Sequence, residues 1–184
     1  MSRITLISYF EERELNKIFK IVDNIDFKMC KVPYGINDEK RYEIDNLPYH
    51  VTIFATNKAN EKQVLDILND LNVDKIILKI NEIKIMDGRN NSNVLYLGIE
   101  QNDDIKNLQR LFYEKIPEEK YNPDNFVFHI TMHIDNNKHL IYNLYKKLQA
   151  NFKPFFLEFN TLALYNYPGD IINITNIYKT IDRK

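Results

Sequence analysis

The chain has 184 residues, 44% of them hydrophobic and 28% charged, with only 4 Gly and 6 Pro. That is the composition of a folded globular chain with a real core, not of a disordered one. A net charge of −1 provides no global field for long duplex nucleic acid, so a nucleic-acid partner is expected to be held locally, at an end or as a small molecule.

Cysteine usage and the N-terminal segment narrow the compartment. Cys30 is the one cysteine, which excludes an internal disulfide and suits a reducing compartment. Glu11, Glu12 and Glu14 interrupt the N-terminal segment, unlike a signal peptide, and no run reaches the roughly 18 apolar residues of a membrane span. The expectation is a cytoplasmic protein with no membrane partner. Nothing in the sequence fixes its oligomeric state.

Ile4 to Tyr9 reads as a first strand. Glu11 to Val22 carries Leu15, Ile18, Phe19 and Val22 at helical spacing and reads as a helix. Asp26 to Leu47 is polar and irregular, contains Pro33 and Gly35, and reads as a long loop of a kind that is often functional. Tyr49 to Ala55 is a strand, and Asn60 to Leu71 a helix with Val64, Leu65, Leu68 and Leu71 on one side. Lys75 to Met86 alternates and reads as a long strand, followed by a turn at Asp87 to Ser92 and a returning strand at Asn93 to Glu100.

Asp103 to Ile116 is a helix whose acidic start suits the helix dipole. After a loop at Pro117 to Asn125 come a strand at Phe126 to Ile134 and a helix at Asn136 to Ala150. Two strands close the chain, Lys153 to Tyr165 and Ile171 to Ile181, joined by a turn at Pro168-Gly169-Asp170. Each half reads strand, helix, long strand, turn, strand, a coarse duplication of element order. Hairpins within each half, with helices between, point to an α+β architecture.

The two motif strands carry the chemistry. His50-Val51-Thr52 lies in the apolar run Tyr49 to Phe54, and His129-Ile130-Thr131 lies in the run Phe126 to Ile134. Residues i and i+2 of a strand share a face about 6.6 Å apart, so each string presents an imidazole and a hydroxyl together. Two such pairs around one cleft supply two acid/base groups and two hydrogen-bond donors, a set suited to phosphodiester chemistry. Opening a cyclic phosphate requires a proton to leave the attacking oxygen and another to reach the departing one, while charge on the phosphoryl oxygens is stabilised. A metal pair at His129 and His133 would need a helix; in a strand the two sit about 13 Å apart, so no metal is expected.

Leu47-Pro48-Tyr49-His50-Val51-Thr52-Ile53 and Phe126-Val127-Phe128-His129-Ile130-Thr131-Met132 resemble the two motifs of the two-histidine (2H) phosphoesterase superfamily, which includes 2′-5′ RNA ligases and cyclic nucleotide phosphodiesterases. The duplicated element order extends the resemblance over nearly the whole chain. The resemblance implies one domain over residues 1–184, with two pseudo-symmetric lobes of antiparallel sheet around a central cleft and helices outside. It implies catalysis without metal or cofactor by His50, His129, Thr52 and Thr131, with His129 as base and His50 as acid for hydrolysis of a 2′,3′-cyclic end.

One departure bears on substrate. The basic residue that often follows the family's second motif is replaced here by Ile134. His133, taken to share the His129 face, either supplies part of that charge or is a partly exposed strand-end histidine. For base recognition the candidates are Tyr165, Tyr49 and Phe128, with Tyr34, Tyr42, Phe54 and Tyr167 nearby, since aromatic faces stack nucleobases. Lys31, Lys40 and Arg41 in the long loop are further candidates for phosphate, although a solvated charge is the commoner case. The expected substrate is RNA with a cyclic phosphate end, a 2′-5′ linked oligonucleotide or a small cyclic nucleotide. The rival reading is a non-catalytic nucleotide- or RNA-end-binding module on the same fold.

Overall fold

The structure, a computed structural model, describes residues 3–22, 43–44, 47–88, 91–117, 125–167 and 171–177. Cys30, Lys31, Tyr34, Lys40, Arg41 and Tyr42 of the expected long loop lie outside the described residues, as do the turn Pro168-Gly169-Asp170, the side chain of Tyr167 and most of the loop after Pro117.

Among the described residues the elements run β1 (Arg3–Ser8), α1 (Glu12–Val22), β2 (Glu43–Ile44), β3 (Leu47–Pro48), β4 (Thr52–Thr56), α2 (Glu61–Asp70), β5 (Ile76–Asp87) and β6 (Asn93–Ile99). They continue with α3 (Asp103–Lys115), β7 (His129–Asp135), α4 (Lys138–Gln149), β8 (Phe155–Phe159), β9 (Thr161–Tyr167) and β10 (Ile171–Asn176). Three helices start at an asparagine. The side chains of Asn60, Asn102 and Asn137 accept from the backbone N–H of Gln63, Ile105 and Leu140, satisfying donors that the first helical turn leaves open. None of the described helices is long and apolar enough to cross a membrane.

The strands form two four-stranded antiparallel sheets, in the orders β10-β9-β1-β4 and β7-β6-β5-β8, beside the short β2-β3 pair. The fold is α+β with two lobes, as the sequence predicts. The lobes are not the two halves of the chain, however. The first sheet takes β1 and β4 from the start and β9 and β10 from the end, and the second is built from everything between. The expected single strand Lys153 to Tyr165 is two strands, one in each sheet. They part at Asn160, whose carbonyl accepts from Ile177 N at 2.8 Å. Phe159 and Leu162 bracket the polar pair Asn160-Thr161, and one such pair does not by itself mark a break in a strand.

Helices cover one face of these sheets. Val64 and Leu68 of α2, Ile105, Leu108 and Phe112 of α3, and Ile141, Leu144 and Leu148 of α4 join Leu6, Ile53, Leu78, Leu97 and Ile130 in one core. Gln109 of α3 is fully buried and donates from Nε2 to Ile53 O at 2.9 Å. That carbonyl belongs to the residue at which the β1–β4 register slips, where the ladder itself leaves a backbone group to be paired. Ile130 is wholly buried on β7. Ile130→Ala is expected to lower the unfolding free energy by about 2–5 kcal/mol, read as a lower denaturant midpoint at unchanged m-value.

Candidate active site

Both motif strands lie at a sheet edge, β4 in the first sheet and β7 in the second. The two edges meet at one antiparallel bridge, Val51 to Ile130. Val51 and Ile130 are both wholly buried in the core. Their neighbours His50, Thr52, His129 and Thr131 are all partly exposed. Alternation along each strand explains the split: the central residue of each triplet points inward, so the flanking pair points outward. On the register of that bridge His50 falls beside Thr131 and Thr52 beside His129, with opposed Cβ atoms about 5 Å apart and the two histidines on a diagonal of about 7 Å. The two strings, far apart in sequence, therefore form one patch of two imidazoles and two hydroxyls.

The first string begins before its strand, not inside it as expected. Pro48 and Tyr49 precede it, and β4 opens only at Thr52. Ser8 anchors the junction, its N–H donating to Val51 O at 2.9 Å and its Oγ accepting from Val51 N at 2.8 Å. Ser8 is fully buried. This positioning contact is one that the sequence reading missed; the only signal is a lone serine ending an apolar strand.

His129 is fixed at its Nδ1, 2.8 Å from Val127 O. A carbonyl can only accept, so Nδ1 carries the proton and donates, leaving Nε2 with the lone pair. Burial pushes the imidazole pKa below its ordinary 6.5, partly offset by that carbonyl. His129 is thus neutral at neutral pH, with an accepting nitrogen turned away from its own backbone.

Tyr96 adds an element that the sequence did not single out. It pairs with Thr131 across β6 and β7, and its ring meets His129 edge to face at 5.3 Å. In the sequence it is one more aromatic in a buried strand.

The structure separates the proposed base-binding residues. Tyr165 lies on the His50 face of the first sheet. Thr52 pairs with Ile7, Ile7 with Ala163, and Tyr165 stands one row further along. There Tyr165 packs with Ile7 and Ala163, against Tyr9 and Ile171, in a small cluster apart from the main core. Tyr49 and Phe128 lie on the other side. The alternation that exposes His50 and His129 buries them in the core with Val51 and Ile130, against Phe19 and Phe126 respectively. Phe54 is likewise core.

His133 also leaves the expected face. The register slips between Thr131 and His133, so Met132 and His133 are both buried and alternation reverses beyond them. His133 therefore points to the helix-covered side, 3.8 Å from Asp135. Burial pushes its pKa below 6.5 against the pull of Asp135. It stands neutral and away from the patch, so it does not replace the missing basic residue. Nor can His129 and His133 converge on one ion. Among the described residues no cluster of three or more His, Cys, Asp or Glu side chains forms a metal centre.

The 2′-5′ RNA ligase superfamily model matches residues 31–171. No curated protein sequence matches. Among solved structures, Escherichia coli LigT in its apo form is similar over 97% of this chain and 99% of its own, at 11% identity and a TM-score of 0.62. LigT complexed with ATP is similar over the same shares, at 9% identity and a TM-score of 0.59. Kluyveromyces marxianus Usb1 is similar over 96% of this chain and 98% of its own, at 11% identity and a TM-score of 0.54. At such identities the likeness is one of fold. With the family model spanning both histidine strings and most of the chain, this protein belongs to the 2′-5′ RNA ligase superfamily of 2H phosphoesterases.

Proposed function

We propose that this protein is a cytoplasmic phosphodiesterase acting on RNA-derived 2′,3′-cyclic phosphate ends or 2′-5′ linked oligonucleotides, by acid/base catalysis that uses His50 and His129 and no metal. The observation that carries the reading is the Val51–Ile130 bridge, which sets both His/Thr pairs on one partly exposed patch. LigT has been solved with phosphate and with 3′-AMP, and Usb1 with uridine monophosphate. Those ligands support a phosphate-bearing nucleotide as the occupant of the corresponding site here.

In the proposed cycle a water approaches phosphorus from the His129 side. Nε2 of His129 takes its proton as the new P–O bond forms. The bond from phosphorus to one ribose oxygen breaks, and a protonated His50 gives that oxygen its proton. One water is consumed, a phosphomonoester and a free hydroxyl are produced, and solvent exchange resets both rings. Thr52 and Thr131 donate to the non-bridging oxygens, where charge grows as the phosphoryl group is attacked. The tautomer held by Val127 favours His129 as base. The near-neutral sequence, at a net charge of −1, favours a short end over a long duplex.

His50→Ala and His129→Ala are each expected to lower kcat by about 10²–10⁴-fold on a 2′,3′-cyclic phosphate, with circular dichroism and thermal midpoint unchanged. A single variant at near wild-type rate overturns the shared scheme, and nucleotide binding without turnover in the wild type favours the non-catalytic module.

The pH profile carries a separate expectation. Protonating His129 removes the base, so kcat/KM falls as pH drops through its pKa. Burial lowers that pKa, which places the acidic limb below 6.5. An acidic limb above that value contradicts the assignment.

A further inference from the structure

Gly98 of β6 stands directly opposite His129 of β7, and on its other side opposite Glu82 of β5. Paired residues share a face, so Glu82, Gly98 and His129 form one row across the second sheet. The adjacent row on that face is Lys84, Tyr96 and Thr131. The glycine makes the first row unusual. A Cβ at Gly98 would stand 2.6 Å from Glu82 Cγ and 3.1 Å from Glu82 Oε1. The carboxylate therefore lies down over the gap, toward the His129 strand. Its Oε1 is in turn 2.8 Å from Lys84 Nζ, and both side chains are part-exposed, at 39% and 52%. Lys84 is thereby tied to the carboxylate that covers Gly98, with about half of its own side chain still open to solvent. Gly98 and His129, directly opposed, stand about 5 Å apart, so the carboxylate that holds the Lys84 ammonium lies one strand from the candidate base. Hydrogen bonding to Glu82 and its charge hold the Lys84 pKa above the ordinary 10.5, so the group is cationic throughout the working range.

A phosphate at His50 and His129 lies across the bridge, while the ammonium lies on the far side of His129 from it. With β6 between the Lys84 and His129 strands and neighbouring strands about 4.8 Å apart, the ammonium falls nearer a second phosphate along a nucleotide chain than the scissile one. We propose that Lys84, tied to the Glu82 carboxylate that covers Gly98, binds the phosphate that flanks the scissile group, so that the site selects oligonucleotide ends over cyclic mononucleotides. This rests on the phosphodiesterase reading and narrows its substrate class. Glu82 acts here as a positioning residue. Lys84 supplies from β5 the positive charge that Ile134 and the inward-turned His133 do not provide from β7.

The test compares a dinucleotide ending in a 2′,3′-cyclic phosphate, which has the flanking phosphate, with a nucleoside 2′,3′-cyclic phosphate, which lacks it. Lys84→Met is expected to lower kcat/KM on the dinucleotide about tenfold more than on the mononucleotide, through KM, as loss of one charge-assisted contact implies. The slope of log(kcat/KM) against log salt for the dinucleotide should shrink by about 0.7, and Lys84→Arg should restore most of the difference. Equal losses on both substrates, or none, overturn the proposal. Should the wild type turn over neither substrate, the phosphodiesterase reading fails separately. Titration with a dinucleotide 3′-phosphate and a nucleoside 3′-phosphate then reads the same contact. A preference for the dinucleotide that Lys84→Met abolishes supports it, and equal affinities refute it.

Discussion

One buried pair of aliphatic side chains organises this molecule. Val51 and Ile130 meet across the edges of two separate sheets, and each is flanked by a histidine and a threonine. Because strand side chains alternate, burying the centre of each triplet forces its flanks outward together. A displacement of either strand by one residue would invert its own side chains and turn its imidazole into the core. The outward residues thus owe their placement to the apolar fit beneath them. Ser8 fastens Val51 from the other side through its N–H and its Oγ, and Gln109 satisfies the carbonyl of Ile53, two residues on. Sheet edges are open templates for pairing; here the two edges occupy each other at the point where the two His/Thr pairs meet.

The two histidines are equivalent in sequence but not in setting. His129 gives its Nδ1 proton to Val127 and meets Tyr96 edge-on. Partial burial keeps it uncharged. An imidazole held in one tautomer has a defined accepting nitrogen, which is what a base requires and what a freely tumbling ring lacks. The backbone carbonyl supplies this orientation without adding a charge that would compete for an anionic substrate.

The parts that were legible in the sequence are those governed by local periodicity. The His/Thr pairs could be placed on one side of their strands because a two-residue repeat needs no tertiary knowledge. The helices after Asn60, Asn102 and Asn137 were legible from their apolar spacing, and for Asp103 to Ile116 also from its acidic start. What local pattern could not carry was pairing between distant edges, since nothing near Val51 names Ile130 as its partner. The slip at Met132 was equally hidden. It turned His133 inward against a strict alternation, and its cause is the register of β7 on β6. Tyr49 and Phe128 looked like stacking surfaces because aromatics serve cores and ligands alike, and only the parity of the bridge assigns them to the core. The break at Asn160 was marked by no more than one polar pair, and from it follows the exchange of strands between the lobes.

That exchange shapes how the chain acquires its structure. β5 to β8 are contiguous, spanning Ile76 to Phe159, and can complete the second sheet from neighbours in sequence. β1 must wait for β9, which pairs Thr5 with Tyr165 across nearly the whole polypeptide. Closing so long a loop is entropically slow. During synthesis the His129 lobe can therefore form while the His50 lobe still lacks its central partner. Competence for catalysis becomes a late event in folding, and a nascent chain holds one imidazole in place well before the other arrives.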